Sequence, residues 1–348
     1  MNSRTRLGLS IGLPILLILA VIGAFFVQQQ RSNAPVAHGS QKLTKMSLAL
    51  DWTPNTNHTG IYVALKNGWY KDQGIDLILL PYSSSVSPDV LVSSGKADVG
   101  ISSTEGIVAD AAVNQPVVSI AAIMQHNTSA LVTLKSSGLS RPRNLDGKIY
   151  GGFGAPYENA VVGAIIKNDG GQGKFKNVTL SVDAMQALES KRIDFAWVFE
   201  GWEVIQAQRQ GVQLNVFPIT NYGITDYYTP NIISSPTEIK QKPDLLRRFM
   251  AATVKGYDYA RTHAQQSAQD LITQAPKGTF PDKGLVVESQ QYLSPRYADN
   301  GQKWGMQDAA AWHGYPEFML KSGGVQDASG KTVKSLNLDA MYTNQFLS

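Results

Sequence analysis

The chain has 348 residues, 43% of them hydrophobic and 17% charged, with a formal net charge of +4 and no cysteine. This is a globular composition in a length that exceeds one ordinary domain, so two lobes are expected. Without cysteine there is no disulfide, thiolate metal site, cysteine nucleophile or lipid-accepting thiol; Arg4, Arg6 and Arg31 carry three of the four net charges, which leaves a near-neutral body with no nucleic-acid footprint.

Arg4 and Arg6 precede residues 7–27, LGLSIGLPILLILAVIGAFFV, an uncharged run long enough to cross a bilayer core of about 30 Å. Basic residues on its N-terminal side predict that this end stays cytoplasmic. The rival reading is a cleaved signal peptide, for which Gly23, Ala24 and Ala37 are poor A-x-A-like candidates. Under either reading the body is exported, tethered to the membrane or released from it. Residues 28–39 (QQQRSNAPVAHG) read as a polar, flexible tether, so 1–43 is set apart as anchor and tether.

Beyond the tether, strand-like runs alternate with helical ones. The first strand is expected at 45–52, followed by a helix that carries Ile61, Ala64 and Leu65 on one face and stops at Gly68. Strand 75–81 is continuously apolar, the pattern of a strand buried on both faces in a parallel sheet. Helix 87–94, strand 97–102, helix 105–114 and strand 117–124 complete a β-α-β-α-β-α-β order, an α/β lobe whose ligand contacts fall at the carboxyl ends of its strands.

Residues 135–146, with Ser, Gly and Pro, are expected to cross to a second α/β pattern: strand 148–151, helix 158–167, strand 178–181, helix 184–190, strand 195–199, helix 203–210 and strand 214–217. Residues 227–234 (YYTPNIIS) would bring the chain back, and helices are expected at 244–263, 265–274, 284–292 and 307–322. The expected division is therefore 44–136 plus 232–348 as one lobe and 137–231 as the other. Two crossings between lobes suit hinge closure over a ligand in a cleft.

DWTPNTNHTGIYVALKNGWYKDQGIDL, LVSSGKADVGIS, NLDGKIYGGFGAPYENAVV and ESKRIDFAWVFEGWE, in that order, resemble the THI5/NMT1-like group of periplasmic-type substrate-binding proteins over about residues 45–320. The resemblance implies a two-lobed periplasmic-binding-protein fold of the type II-like kind and delivery of a solute to an ABC permease, by a monomer without a cofactor. G-K-A-D-x-G is shared with nitrate, sulfonate and taurine binders. W-x-P-N-x-x-H-T-G is narrower and resembles binders of the thiamine pyrimidine precursor, with riboflavin-type binders as relatives. The same group holds a fungal pyrimidine synthase with a lysine for pyridoxal and, four residues on, a histidine; here those positions are Ser102 and Gly106. A Schiff base needs a lysine amine, so a binding protein is expected and an enzyme disfavoured. A sulfonate or nitrate receptor would want cations in the cleft, and the loops at the strand ends, 52–58, 82–85, 102–105 and 125–129, carry none apart from His58 and His126 if protonated.

A heteroaromatic ring is held by stacking and a few polar groups. Trp52, followed by Pro54, is the expected stacking wall, against a reading as a core tryptophan. Asn55 and Asn57 can cap a helix or contact a ligand. His58 is either a ligand contact or a satisfied histidine, and it has no companion at metal spacing. Ser103 precedes a helix whose first turn holds Glu105, where the helix dipole favours an acid. GGFGAPYE lacks the third glycine of a dinucleotide fingerprint; Tyr157 is read as a second stacking face and Glu158 as an acceptor for a ring amino group. Glu200 and Trp202 flank Gly201 at a strand end, where a carboxylate is an unusual core choice. Tyr222 is a further candidate near the return crossing; Tyr62, Tyr228 and Asn221 are weaker.

Overall fold

The computed structural model describes residues 42–180 and 183–347. The apolar run 7–27 and the tether lie outside the described residues; among those described, no helix is long and apolar enough to cross a membrane. The first sheet is built from β1 (Thr44–Ala49), β2 (Ile75–Leu80), β3 (Val99–Ser102) and β4 (Val118–Ala122), linked through α1 (Thr59–Lys66), α2 (Trp69–Asp72), α3 (Pro88–Ser93) and α4 (Thr104–Ala112). The second is built from β5 (Ser129–Leu134), β6 (Ile149–Gly152), β7 (Lys176–Thr179), β8 (Phe195–Phe199) and β9 (Leu214–Pro218), with α5 (Glu158–Asn168), α6 (Ala184–Glu189) and α7 (Ile205–Arg209). The chain then returns to the first sheet as β10 (Asn231–Ser234) and continues through α8 (Pro236–Gln241), α9 (Pro243–Thr262), α10 (Ala264–Gln274), α11 (Lys283–Leu293) and α12 (Ala309–Ser322).

Strand order is β2-β1-β3-β10-β4 in one sheet and β7-β6-β8-β5-β9 in the other. β1, β2 and β3 run parallel, as do β6, β7 and β8. The one antiparallel strand in each, β10 or β5, is the strand that follows a change of sheet. Two mixed α/β sheets with two changes between them agree with the pattern expected from the sequence. The carboxyl ends of the parallel strands are where such sheets present ligand loops.

Two expectations are corrected. The first change of sheet lies at residues 123–128 rather than 135–146, because β5 pairs with β8 and β9. Residues 135–146 instead form two tight turns, Lys135–Ser137 and Pro142–Leu145, and the second packs on α5. The apolar run SALVTL announces a buried strand without saying which sheet buries it. β2, expected to be covered on both faces, is an edge strand with Ile78 41% exposed.

The first sheet is covered by α9, which packs closely on α1 through two glycines. A Cβ on Gly256 would sit 2.0 Å from the Gly60 carbonyl oxygen, and one on Gly60 would sit 2.3 Å from the Tyr257 ring. Tyr257 stacks on Trp304 at 4.0 Å, and the Trp304 indole donates to the carbonyl of Ile123. The far edge of the sheet is covered as well. The Ser119 amide donates to the Met341 carbonyl, the Thr343 amide to that of Ser119, and the Ala122 amide to that of Gly305, so β4 offers no long open edge to another chain.

Candidate ligand-binding site

The loops after β1, β3, β6 and β8 come together. The hydroxyls of Thr56 (β1 loop) and Ser289 (α11) lie 2.5 Å apart, and Ser289 also donates to the carbonyl of Gly201 beyond β8. Ser289 has one proton, which goes to Gly201, so Thr56 is the donor to Ser289. The β3 and β6 loops are near enough to share their charges: burial, then the charges of Glu105 and Glu158, hold the Tyr157 hydroxyl well above the usual phenol range.

Aromatic side chains are left uncovered at these strand ends. Trp52 is 52% exposed, Phe153 60% and Phe199 37%, at the carboxyl ends of β1, β6 and β8. Trp52 lies 4.7 Å from Tyr82 at a tilt of 44°, and Phe153 lies 6.1 Å from Tyr157. Such rings suit a flat ligand better than they suit water.

Each expected residue has a definite place. Asn55 caps the turn Thr56–His58, its side-chain oxygen accepting from the Asn57 amide at 2.9 Å. Asn57 is half-buried, and among the described residues its side chain has no hydrogen-bond partner; its carbonyl accepts from Tyr257. Ser103 caps α4 through the Gly106 amide at 3.0 Å. Glu200 is half-buried and accepts from the Tyr292 hydroxyl at 3.0 Å. Burial pushes its carboxyl up, while Tyr292 and the Arg296 charge pull it down.

Four others are occupied elsewhere. His58 is fully buried, with Nδ1 accepting from the Asn55 amide at 3.2 Å and Nε2 therefore donating to Asp51 at 2.8 Å, so neither ring nitrogen is free for a ligand. Glu158, fully buried, receives the Tyr150 hydroxyl at 2.8 Å and the amides of Phe153 at 3.1 Å and Ala155 at 2.5 Å; it staples its own loop. Gly152 allows this, since a Cβ there would fall 2.0 Å from the Glu158 carboxylate. Trp202 packs beside Phe280 among Tyr62, Leu271 and Val286. Tyr222 lies beside Asn168 at the C-terminal end of α5, about 16 Å along that helix from Tyr157.

The Trp202 placement has a simple cause. Residues Glu200–Val204 form a single π turn rather than a strand extension, and in any helical turn residues two apart face different ways. Sequence reading marks the loop that begins at Tyr82 without singling out its ring, and passes over Phe153, Glu203 and Tyr292. Tyr82 and Phe153 stand at strand ends and were legible by the same rule as Trp52. Glu203, which accepts from the Phe199 amide at 2.9 Å, is pushed up to about 7 by burial. Tyr292 comes from a helix with no local signal of its role.

Behind the β3 loop lies a buried carboxylate pair. Ser102 donates to Asp89, and burial pushes Asp89 and Asp110 up, each raised further by an acidic neighbour. A Cβ on Gly106 would lie 2.7 Å from Ser102 Oγ and 3.4 Å from Asp89, so no side chain fits at 106 beside this arrangement. Among the described residues, no group of three His, Cys, Asp or Glu side chains could hold a metal ion.

A family profile described as NMT1/THI5 like matches residues 55–267. The formylaminopyrimidine-binding protein of Halalkalibacterium halodurans is 24% identical over 303 residues, 86% of this chain and 90% of that protein. The 4-amino-5-hydroxymethyl-2-methylpyrimidine phosphate synthase of Legionella pneumophila is 25% identical over 236 residues, 67% of this chain and 74% of that protein. Among solved structures, the periplasmic aliphatic sulphonate binding protein of Escherichia coli superposes with a TM-score of 0.62 at 12% identity, covering 83% of this chain and 90% of that one. With well over half of its residues inside that profile, the chain belongs to the NMT1/THI5 like family.

Proposed function

We propose that the protein is the extracytoplasmic solute-binding component of an ABC importer, that it binds a thiamine-precursor aminopyrimidine between its two sheets, and that it performs no chemistry on it. The observation that carries this reading is the set of exposed aromatic rings at the carboxyl ends of β1, β6 and β8 together with the half-free Glu200 carboxylate after β8. Stacking on Trp52 and acceptance of ring or exocyclic N–H groups by Glu200 would hold such a ligand, with Asn57, Ser103 and Tyr157 as further contacts. The relative named as a formylaminopyrimidine-binding protein covers nearly the whole chain and supports the same solute class.

Two observations favour this reading over its neighbours. Asp51 after β1 and Glu200 after β8 present carboxyl acceptors at these strand ends, an unfavourable setting for a sulfonate or nitrate, which needs donors. Ser102 and Gly106 leave neither an amine for an aldimine nor room for a second side chain, which speaks against the synthase activity named for other relatives. The apolar run 7–27 is proposed to tether the monomer to the membrane beside its permease, or to direct its release.

Isothermal calorimetry with 4-amino-5-hydroxymethyl-2-methylpyrimidine, its formylamino analogue and riboflavin tests the reading on wild type and Trp52→Ala. Aminopyrimidine heat is expected in the wild type, with affinity lower by about tenfold or more in the variant, since stacking on a base is worth roughly 1–3 kcal/mol. No heat from the pyrimidines sinks the ligand assignment, and unchanged affinity in Trp52→Ala sinks the stacking wall.

A further inference from the structure

α11 reaches both walls of the candidate site with consecutive turns. Ser289 joins the loop after β1 to the carbonyl of Gly201. One turn on, Tyr292 donates its hydroxyl to Glu200 Oε2 at 3.0 Å. Tyr292 is itself fixed: the Arg296 guanidinium lies 3.7 Å from its ring centre and donates to its carbonyl at 2.6 Å. Leu293 closes on the same turn, for a Cβ at Gly201 would come within 2.7 Å of it.

This leaves the two oxygens of Glu200 in different situations. Oε2 is committed to Tyr292, whereas Oε1 accepts no hydrogen bond among the described residues. A half-buried carboxylate held by one oxygen has lost most of its rotational choice, so the second oxygen is presented in one orientation before any ligand arrives. Preorganisation of that kind lowers the cost of binding.

We propose that Tyr292, backed by Arg296, is a positioning residue for the candidate site: it holds the Glu200 carboxylate by Oε2 so that Oε1 is left to accept a hydrogen bond from an N–H group of the ligand. The inference rests on the aminopyrimidine reading for its ligand and on α11 alone for its geometry. It also assigns α11, distant in sequence from every other site segment, to the recognition machinery. Tyr292 and Arg296 both favour the charged form of Glu200 against burial, so removing either makes the carboxyl easier to protonate.

The test is calorimetry with 4-amino-5-hydroxymethyl-2-methylpyrimidine across pH on the full-length chain, comparing wild type, Tyr292→Phe, Glu200→Gln and the double variant. Tyr292→Phe keeps the ring under Arg296 and removes only the hydroxyl. It is expected to weaken binding about three- to tenfold, as the loss of a partly exposed hydrogen bond to a charged group. It should also move the acid limb of the affinity to higher pH, and change nothing further when Glu200 is already Gln. Arg296→Gln should move the acid limb the same way, which keeps the proposal open to test if Tyr292→Phe does not fold. Additive losses in the double variant with an unmoved pH profile overturn the proposal. If wild type takes up no pyrimidine, the ligand reading falls separately, and the carboxyl-carbon NMR titration of Glu200 in the ligand-free chain decides: a higher midpoint in Tyr292→Phe supports the positioning role, and an equal midpoint ends it.

Discussion

Glu158 and Glu200 are both carboxylates just beyond a strand of the second sheet, and what separates them is how much each oxygen already does. Glu158 receives a tyrosine hydroxyl and two backbone amides and is fully buried; Glu200 receives one hydroxyl and is half-buried. Replacing Glu158 with Gln puts an amide donor against donors. Glu158→Gln is therefore expected to cost about 2–3 kcal/mol of stability, the range for a lost charged hydrogen bond that leaves buried groups unpaired. Glu200→Gln is expected to leave thermal unfolding nearly unchanged and to weaken the ligand instead. Melting curves and calorimetry on the pair check this; a stable Glu158→Gln with impaired binding would return Glu158 to the ligand. The sequence could not separate the two, since both read as an acid next to aromatics. It did expose Trp52, because a tryptophan followed by Pro at the end of an apolar strand has little core to enter. His58 stayed ambiguous for the opposite reason: its partners Asp51 and Asn55 lie in the same loop, and nothing in the spelling of the loop shows that they satisfy it.

Elements were legible wherever periodicity and caps agreed, and least legible where a local feature breaks a regular pattern. Ser87 and Ser103 each cap the helix that the following apolar spacing announces, and α9 shows its buried Leu246, Phe249, Met250, Thr253 and Tyr257 at helical spacing; α8, capped by Ser235 but with no buried residue, is not announced in this way. The π turn at Glu200–Val204 carries no such signal, and it alone turns Trp202 away from the site. Glycines are the other silent feature. Gly60 and Gly256 read as neutral helix positions, yet they let α1 and α9 approach until a Cβ on Gly256 would lie 2.0 Å from a backbone oxygen. Backbone cannot step aside as a flexible side chain can, so Gly256→Ala should cost about 3 kcal/mol or more, the upper range for an overpacked core. Gly68→Ala, where φ is +73° and nothing lies within 4 Å, should cost only about 1–2 kcal/mol for its left-handed backbone. Urea unfolding of the two variants tests the ranking, and equal losses would mean that the helix crossing is not the tight contact described. Because α1 begins directly after the 52–58 loop, a Gly256→Ala variant that does fold should also bind less tightly.

The two passages between sheets, residues 123–128 and 223–230, are joined by the Asn127 amide donating to Asp226 Oδ1 at 2.8 Å, by the Ile123 amide donating to the Pro230 carbonyl at 2.9 Å, and by one imidazole. His126 in the first faces Asp226 in the second, with Nδ1 and Oδ2 2.5 Å apart, and Asp299 of the C-terminal region at 3.1 Å from Nε2. Partial burial lowers the imidazole pKa, but the hydrogen bonds and charges of the two aspartates outweigh it and raise the net value. A group whose pKa is raised on folding stabilises the fold most below its unfolded value, about 6.5 for histidine, and loses that contribution as pH climbs through the folded value. The tie is therefore strongest in mildly acidic solution and weakens toward alkaline pH, when only one ring nitrogen can donate and two carboxylates face each other across it. His126→Asn should lower the melting temperature relative to wild type at pH 6, and the gap should narrow steadily by pH 9. His313, also raised by its acidic neighbours, titrates in both proteins and cancels in the difference. A gap that stays constant with pH would show that His126 acts only through packing. If it narrows as expected, hydrogen exchange in residues 123–128 and 223–230 should rise modestly with pH in the wild type beyond the intrinsic chemical rate, because the imidazole's hold on both passages weakens while the two amide ties between them remain.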